Sequence, residues 1–177
     1  PETQPVLSRL QSDLVELCEA GLDGKLDQVT CDWDPRPAVG VVLAAAGYPE
    51  SPRKGDAITG LDTAAKLPGK VFHAGTALRG ETLVTNGGRV MCAVGLGNTV
   101  REAQQAAYAL VDVVDYAGKL VRRDIGYRAI AREEAADVDG VELRRAVAVH
   151  EDDERRGAGA VLRHHQPVVH AFAAQVG

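Results

Sequence analysis

Apolar residues fall into different spacings along the chain, and each spacing predicts a different element. Over residues 5–26, Val6, Leu7, Leu10, Leu14, Leu17 and Cys18 recur three or four positions apart. That recurrence lines one side of an α-helix and predicts a helix over 5–26, with Pro5 in its first turn. Gly21 and Gly24 place its end nearby. A helix with a single apolar stripe needs a surface to cover that stripe.

From Ala38 the helical spacing stops. The unbroken run AVGVVLAAA (38–46), bounded by Pro37 and Gly47, reads as a buried strand. Gly55, Gly60, Gly69, Gly75 and Gly80 then punctuate the chain and leave short strand candidates at 57–59, 70–74 and 82–85. Asn86-Gly87-Gly88 is a hairpin-turn signal and leads into a strand over 89–95. These pieces predict a small antiparallel β module of hairpins.

Helical spacing returns over 99–117, where Val100, Ala103, Ala107, Leu110, Val111 and Val114 form a stripe. Thr99 is the expected cap, with Glu102 three residues on as in a capping box. Residues 122–132 read as a loop and a short helix. The fold class is therefore α+β: a helix, a small antiparallel β domain, and a packed helix. After Arg132 the character changes. Residues 133–157 are rich in Glu, Asp and Arg, so 133–177 is expected to be a charged, weakly helical or poorly ordered extension. No internal repeat is visible.

Composition narrows the function classes. The chain has 177 residues, of which 45% are hydrophobic, 25% charged and 4% aromatic. That is enough for a packed core built from Val, Leu, Ala and Ile. The net charge of −5 argues against a general nucleic-acid binder, which carries a basic face. Cys18, Cys31 and Cys92 are odd in number and far apart, which suits free thiols in a reducing cytoplasm better than a disulfide frame or zinc site. No apolar run reaches the ~20 residues a membrane-spanning helix needs, and no signal peptide is seen. The first residue is Pro1 rather than Met. The expectation is a truncated start.

Candidate chemistry sits in short stretches. AAAGYP (44–49) ends an apolar strand at Gly47, Tyr48 and Pro49, which serves either a strand-ending turn or a ligand contact. HAGT (73–76) offers the His73 imidazole and the Thr76 hydroxyl, again as structure or as site. No nucleophile pairs with His73 at a recognisable spacing. TNGGRV (85–90) offers a tight turn whose backbone N–H groups, beside the Arg89 guanidinium, can hold a phosphate. A hairpin with a solvated Arg89 is the other reading. The glycines do not fit a P-loop. Asp32, Asp34, Asp56 and Asp62 lack metal-ligand spacing, and His164 and His165 lie in the charged tail.

Taken in order, PETQPVL (1–7), VGVVLAAAGYP (39–49), GKVFHAGT (69–76), TLVTNGGRV (82–90), GNTVREAQQAAYALV (97–111) and RRDIGYRAI (122–130) resemble the C-terminal third of phosphoribosylamine–glycine ligase. The resemblance covers about residues 1–132. It implies an ATP-grasp ligase of purine biosynthesis that joins glycine to 5-phosphoribosylamine with ATP and Mg²⁺ or Mn²⁺. It implies that residues 1–27 close the ATP-grasp core. Residues 28–132 would be the C-terminal domain, of small barrel-sandwich type. The family's metal and ATP ligands precede Pro1, so no catalytic residue and no metal ligand is carried over, and neither cofactor is expected to bind this chain alone. By position, Asn86, Gly87, Gly88 and Arg89 become candidates for the phosphate of phosphoribosylamine or glycinamide ribonucleotide. Gly47, Tyr48, Pro49, His73 and Thr76 would shape the same cleft. The expected partner is the N-terminal ATP-grasp part, with no nucleic acid or membrane. Two functions stand: a C-terminal ligase part inactive alone, or a phosphoribosyl-binding module that complements a separate ATP-grasp half.

Overall fold

In a computed structural model the described residues are 2–138 and 147–148. They divide into two compact units. One contains residues up to Arg9 and from Asp34 onward, and the other contains Leu10–Trp33.

The larger unit is built on a four-stranded sheet in the order β2-β5-β1-β6. Strand β1 (Ala38–Ala44) and strand β5 (Arg89–Leu96) pair antiparallel at its centre. Both are covered on two faces, which is why both read as continuous apolar runs rather than alternating ones. Strand β2 (Lys70–His73) pairs antiparallel with β5, and β6 (Val147–Ala148) pairs parallel with β1. A second, two-stranded sheet is the hairpin of β3 (Thr76–Arg79) and β4 (Thr82–Thr85). Among the described residues the sheets close no barrel.

Helix α4 (Val100–Val113) lies on one face of the large sheet. Its buried stripe of Val100, Ala103, Ala107, Leu110 and Val111 is the one expected from spacing. Close approach depends on Gly95, because a Cβ there would run into the backbone of Ala103 and Ala107. The main core joins these residues to Val39, Val41, Leu43, Met91 and Ala93. Helix α4 begins with Thr99, whose hydroxyl accepts from the Glu102 N–H at 3.1 Å. Glu102 reaches back to the Asn98 N–H at 2.7 Å, one residue earlier than a capping box requires.

The structure corrects three expectations. The helix expected over 5–26 is two helices, α1 (Thr3–Leu7) and α2 (Leu14–Leu22). Ser8 ends the first by bonding back to the Gln4 carbonyl at 2.7 Å, Leu10 leaves to bridge Trp33, and Asp13 caps the second through the Val15 N–H at 2.7 Å. Helix α1 packs on β1 and β5, with Pro5 buried against Gly40. Second, the 57–59 strand is reduced to single bridges, Ala57 to Val84 and Thr59 to Asp115, and a four-residue helix α3 (Leu61–Ala64) follows it. Third, α5 (Tyr127–Val138) runs six residues past Arg132 into the expected extension. Glu133 holds it there by accepting the Val100 N–H at 2.7 Å, an amide that the first turn of α4 cannot satisfy internally. Glu134 pairs with Arg101 alongside. His164 and His165 lie outside the described residues.

In the smaller unit, α2 is followed by a short 3₁₀ turn (Leu26–Gln28). The Gln11 N–H donates to the Asp32 carbonyl at 2.9 Å, and the Asp32 N–H donates to the Ser12 hydroxyl at 2.7 Å. Among the described residues no helix is long and apolar enough to cross a membrane.

Candidate functional site

The turn at Asn86–Gly88 does not close a hairpin. It carries the chain from β4 in the small sheet to β5 in the large one. The reason lies in what it meets. The Asn86 N–H donates to the Gly75 carbonyl at 2.7 Å, and the Gly75 N–H donates to the Arg89 carbonyl at 2.8 Å. The Ala45 N–H donates to the Gly88 carbonyl at 2.8 Å. Three segments are thus knotted together at the start of β5. One of the three N–H groups expected to face a ligand, that of Asn86, is spent on this join.

The glycines permit the join. A Cβ on Gly75 would lie 2.7 Å from the Gly87 Cα and 2.7 Å from the Arg89 carbonyl oxygen. A Cβ on Gly88 would lie 2.5 Å from Tyr48 Cδ2, so the tyrosine ring occupies the space of that glycine's missing side chain. Gly47, at φ 79°, starts the loop that places Tyr48 and Pro49 there, and the Tyr48–Pro49 bond is cis. The Ser51 N–H closes this loop on the Gly47 carbonyl at 2.8 Å. His73 Nδ1 and the Thr76 hydroxyl lie 3.2 Å apart on either side of Gly75. All nine sequence candidates therefore meet at one corner of the larger unit. Arg89 is exposed there, and Gly87 and Gly88 are half-buried.

A supporting set went unread in the sequence. Thr85 is fully buried at the end of β4. Its hydroxyl accepts from the Asp56 N–H at 3.1 Å and lies 3.5 Å from the Arg53 carbonyl, which ties the 47–56 loop to the small sheet. Arg53 Nε pairs with Asp56 at 2.8 Å, and its Nη2 donates to the Ala117 carbonyl at 2.8 Å. The Arg79 guanidinium lies over Gly55, whose φ is 93°. Tyr116 is buried and its hydroxyl donates to the Ala44 carbonyl at 3.0 Å, fixing the root of the same loop. Burial pushes the Tyr116 phenol well above its ordinary range, so it stays a neutral donor. Tyr116→Phe is expected to cost about 1 kcal/mol by urea unfolding, because Ala44 keeps its bond from the Leu120 N–H. A loss beyond about 3 kcal/mol would show that the phenol does more than this bond.

Elsewhere the titratable groups are structural. The Arg36 side chain and N–H hold Asp34 down to about 2. Burial pushes the Cys92 thiol up to about 11, which keeps it unreactive. Among the described residues no three His, Cys, Asp or Glu side chains are placed to hold a metal ion. The donor set among the described residues therefore does not fit the Mg²⁺ or Mn²⁺ that the resemblance implies.

Comparison with known proteins bears on the same region. The family model described as phosphoribosylglycinamide synthetase, C domain, matches residues 38–128, which contain every residue of this corner. A phosphoribosylamine–glycine ligase of Vibrio cholerae is 63% identical over 135 residues, covering 76% of this chain and 32% of the relative. One from Pseudomonas putida is 61% identical over 133 residues, covering 75% and 31%. A solved phosphoribosylamine–glycine ligase from Thermotoga maritima shares 48% identity at a TM-score of 0.42, over 48% of this chain and 20% of that one. The chain thus spans about a third of the length of the curated relatives it matches.

Proposed function

The chain belongs to the phosphoribosylglycinamide synthetase C-domain family, and on that premise we propose that it is the substrate-holding C-terminal part of a phosphoribosylamine–glycine ligase. In this reading it works in the cytoplasm, in the ATP-dependent step of purine biosynthesis that joins glycine to 5-phosphoribosylamine. The observation that carries the reading is the gathering of Tyr48, Gly75, Gly87, Gly88 and Arg89 at one corner inside the family-matched region. Gly87 packs on Gly75 and Gly88 on the Tyr48 ring, which fixes the turn, and Arg89 supplies a guanidinium fork beside it. A phosphate oxygen suits such a place, since Arg donates two parallel bonds and small residues let backbone amides approach.

The division of labour follows. This corner holds and orients the phosphoribosyl end, a contribution of position rather than of chemistry. ATP and the divalent ion would draw their ligands from the N-terminal ATP-grasp part, so the chain alone is read as inactive. Residues 28–132 are read as the C-terminal domain and residues 1–27 as the end of the ATP-grasp core, of which α1 packs on β1 and β5.

Calorimetry with glycinamide ribonucleotide tests the corner. The wild-type chain is expected to bind saturably, and Arg89→Ala to bind about ten- to a hundredfold more weakly, the loss of a charge-assisted hydrogen bond. Equal binding by both removes Arg89 from the site. A chain that binds nothing saturably overturns the substrate-holding role.

A further inference from the structure

One loop, residues 45–56, holds the turn that leads to Arg89 at both of its ends. At the far end the Ala45 N–H donates to the Gly88 carbonyl at 2.8 Å, and Tyr48 and Pro52 lie nearest the space of a Cβ on Gly88. At the near end the Gly55 N–H donates to the Thr85 carbonyl at 2.7 Å, and the Thr85 N–H donates to the Asp56 carbonyl at 2.9 Å. Between these ends the loop is braced internally. The Tyr48 N–H donates to the Ala45 carbonyl at 3.1 Å, and the Arg53 N–H donates to the Ala46 carbonyl at 2.8 Å. A shift at residues 53–56 is therefore passed to Ala45 and Tyr48, and from them to Gly88.

Arg89 sits where strand pairing slips. Leu43 lies opposite Met91 and Ala44 opposite Arg89, so Val90 is the extra residue of a β-bulge. Val90 and Met91 are both fully buried, whereas Arg89 is exposed. A bulge interrupts the ladder, bends its strand and re-aims a neighbouring side chain. The direction of Arg89 is therefore set from the turn as well as from the ladder, through its peptide bond with Gly88.

Thr85 carries one group more than its place in β4 requires. Its backbone already pairs with the loop on both sides, and valine would fill the same space in a strand. The hydroxyl is fully buried all the same, and a buried hydroxyl is retained where it has partners. Those partners are the Asp56 N–H at 3.1 Å and the Arg53 carbonyl at 3.5 Å, both in the loop. We propose that Thr85 is a positioning residue for the phosphate-binding guanidinium. Its hydroxyl sets the 45–56 loop, and the loop, through Ala45, Tyr48 and Pro52, sets Gly88 and the aim of Arg89. The inference rests on the phosphate reading above, which the Arg89→Ala titration decides by itself.

A double-mutant cycle tests it. Thr85→Val and Thr85→Ser are titrated with glycinamide ribonucleotide, each with Arg89 present and with Arg89→Ala. Thr85→Val should bind at least about fivefold more weakly than wild type, and Thr85→Ser, which keeps the hydroxyl, within about twofold of it. With Arg89→Ala present, Thr85→Val should cause no further loss, because it acts through Arg89. Equal losses in the two backgrounds overturn the proposal, and so does a loss as large with Thr85→Ser as with Thr85→Val. If no chain binds saturably, the substrate-holding role falls, and hydrogen exchange of the ligand-free chain decides the positioning claim. The Ala45 amide, bonded to Gly88, should then exchange at least about tenfold faster in Thr85→Val than in wild type or Thr85→Ser, with the Leu110 amide of α4 less affected. An unchanged rate at Ala45, or equal acceleration at Ala45 and Leu110, overturns it. Should Thr85→Val fail to fold, Thr85→Cys, of similar size and with a weaker acceptor, takes its place in both measurements.

Discussion

Leu110→Ala is expected to destabilise the larger unit by about 2–5 kcal/mol and to lower its melting temperature by roughly 10 °C. Leu110 is fully buried on α4. Its Cδ1 reaches the bend before β2, where a Cβ on Gly69 would lie only 2.9 Å away. Truncation removes apolar surface from the core and leaves a void. The surroundings cannot fill it by shifting, because α4 is held at its start by Glu133 and Thr99 and along its length by its contact with Gly95. Where collapse is blocked, the cavity cost adds to the lost transfer energy. Leu78→Ala is the matched control, since Leu78 is 71% exposed and its loss should stay within about 0.5 kcal/mol. Equal urea midpoints for the two variants would mean that α4 does not carry the core.

Much of this frame was visible in spacing alone. Strands β1 and β5 announce themselves because each is covered on both faces, so nothing interrupts the apolar run. Helix α4 does so because a stripe of six residues and a Thr99 cap agree with one another. The break between α1 and α2 was not visible, because the stripe carries on in phase while Leu10 is diverted to Trp33, a partner 23 positions away. Strand β3 was missed because Thr-Ala-Leu-Arg has no alternation of its own, and its pairing with β4 supplies the order. The end of α5 was missed for a similar reason. Glu133 and Glu134 look like the start of a charged tail until the orphan amide of Val100 and the Arg101 side chain are placed beside them.

The candidate corner divides along the same line. Glycines and turn residues are legible one at a time, because each states a local backbone need. Their meeting is not, since Asn86-Gly87-Gly88 looks locally like a hairpin turn, and only the bonds to Gly75 and Ala45 make it a crossing between sheets. Thr85 sits in Thr-Leu-Val-Thr as one more strand residue. Its role comes from the Asp56 N–H and the Arg53 carbonyl that converge on its hydroxyl, 29 and 32 positions back. A polar residue at an inward strand position was the available signal, and it gains meaning only once burial is known.

The second large effect is expected from Gly75→Val, which strikes the meeting itself. The three atoms nearest to a Cβ at 75 are all backbone, namely the Arg89 carbonyl oxygen, the Gly87 Cα and the Gly87 nitrogen. No rotamer change relieves such a contact. The 73–76 corner must back away from the 86–89 crossing, and in doing so it gives up the Asn86–Gly75 and Gly75–Arg89 hydrogen bonds. Overpacking and two lost bonds together should cost about 3 kcal/mol. Glycinamide ribonucleotide binding should fall by at least about tenfold at temperatures where the variant is still folded, because Arg89 and His73 no longer keep their spacing. Gly80→Ala separates this from a general cost of replacing glycine. Gly80 has φ 61° in the β3–β4 loop with nothing within 4 Å of a Cβ, so its replacement should cost only about 1 kcal/mol of backbone strain. It should leave ligand affinity unchanged. If Gly75→Val matched Gly80→Ala in both urea midpoint and affinity, the contact between Gly75 and Gly87 would have no part in building the corner.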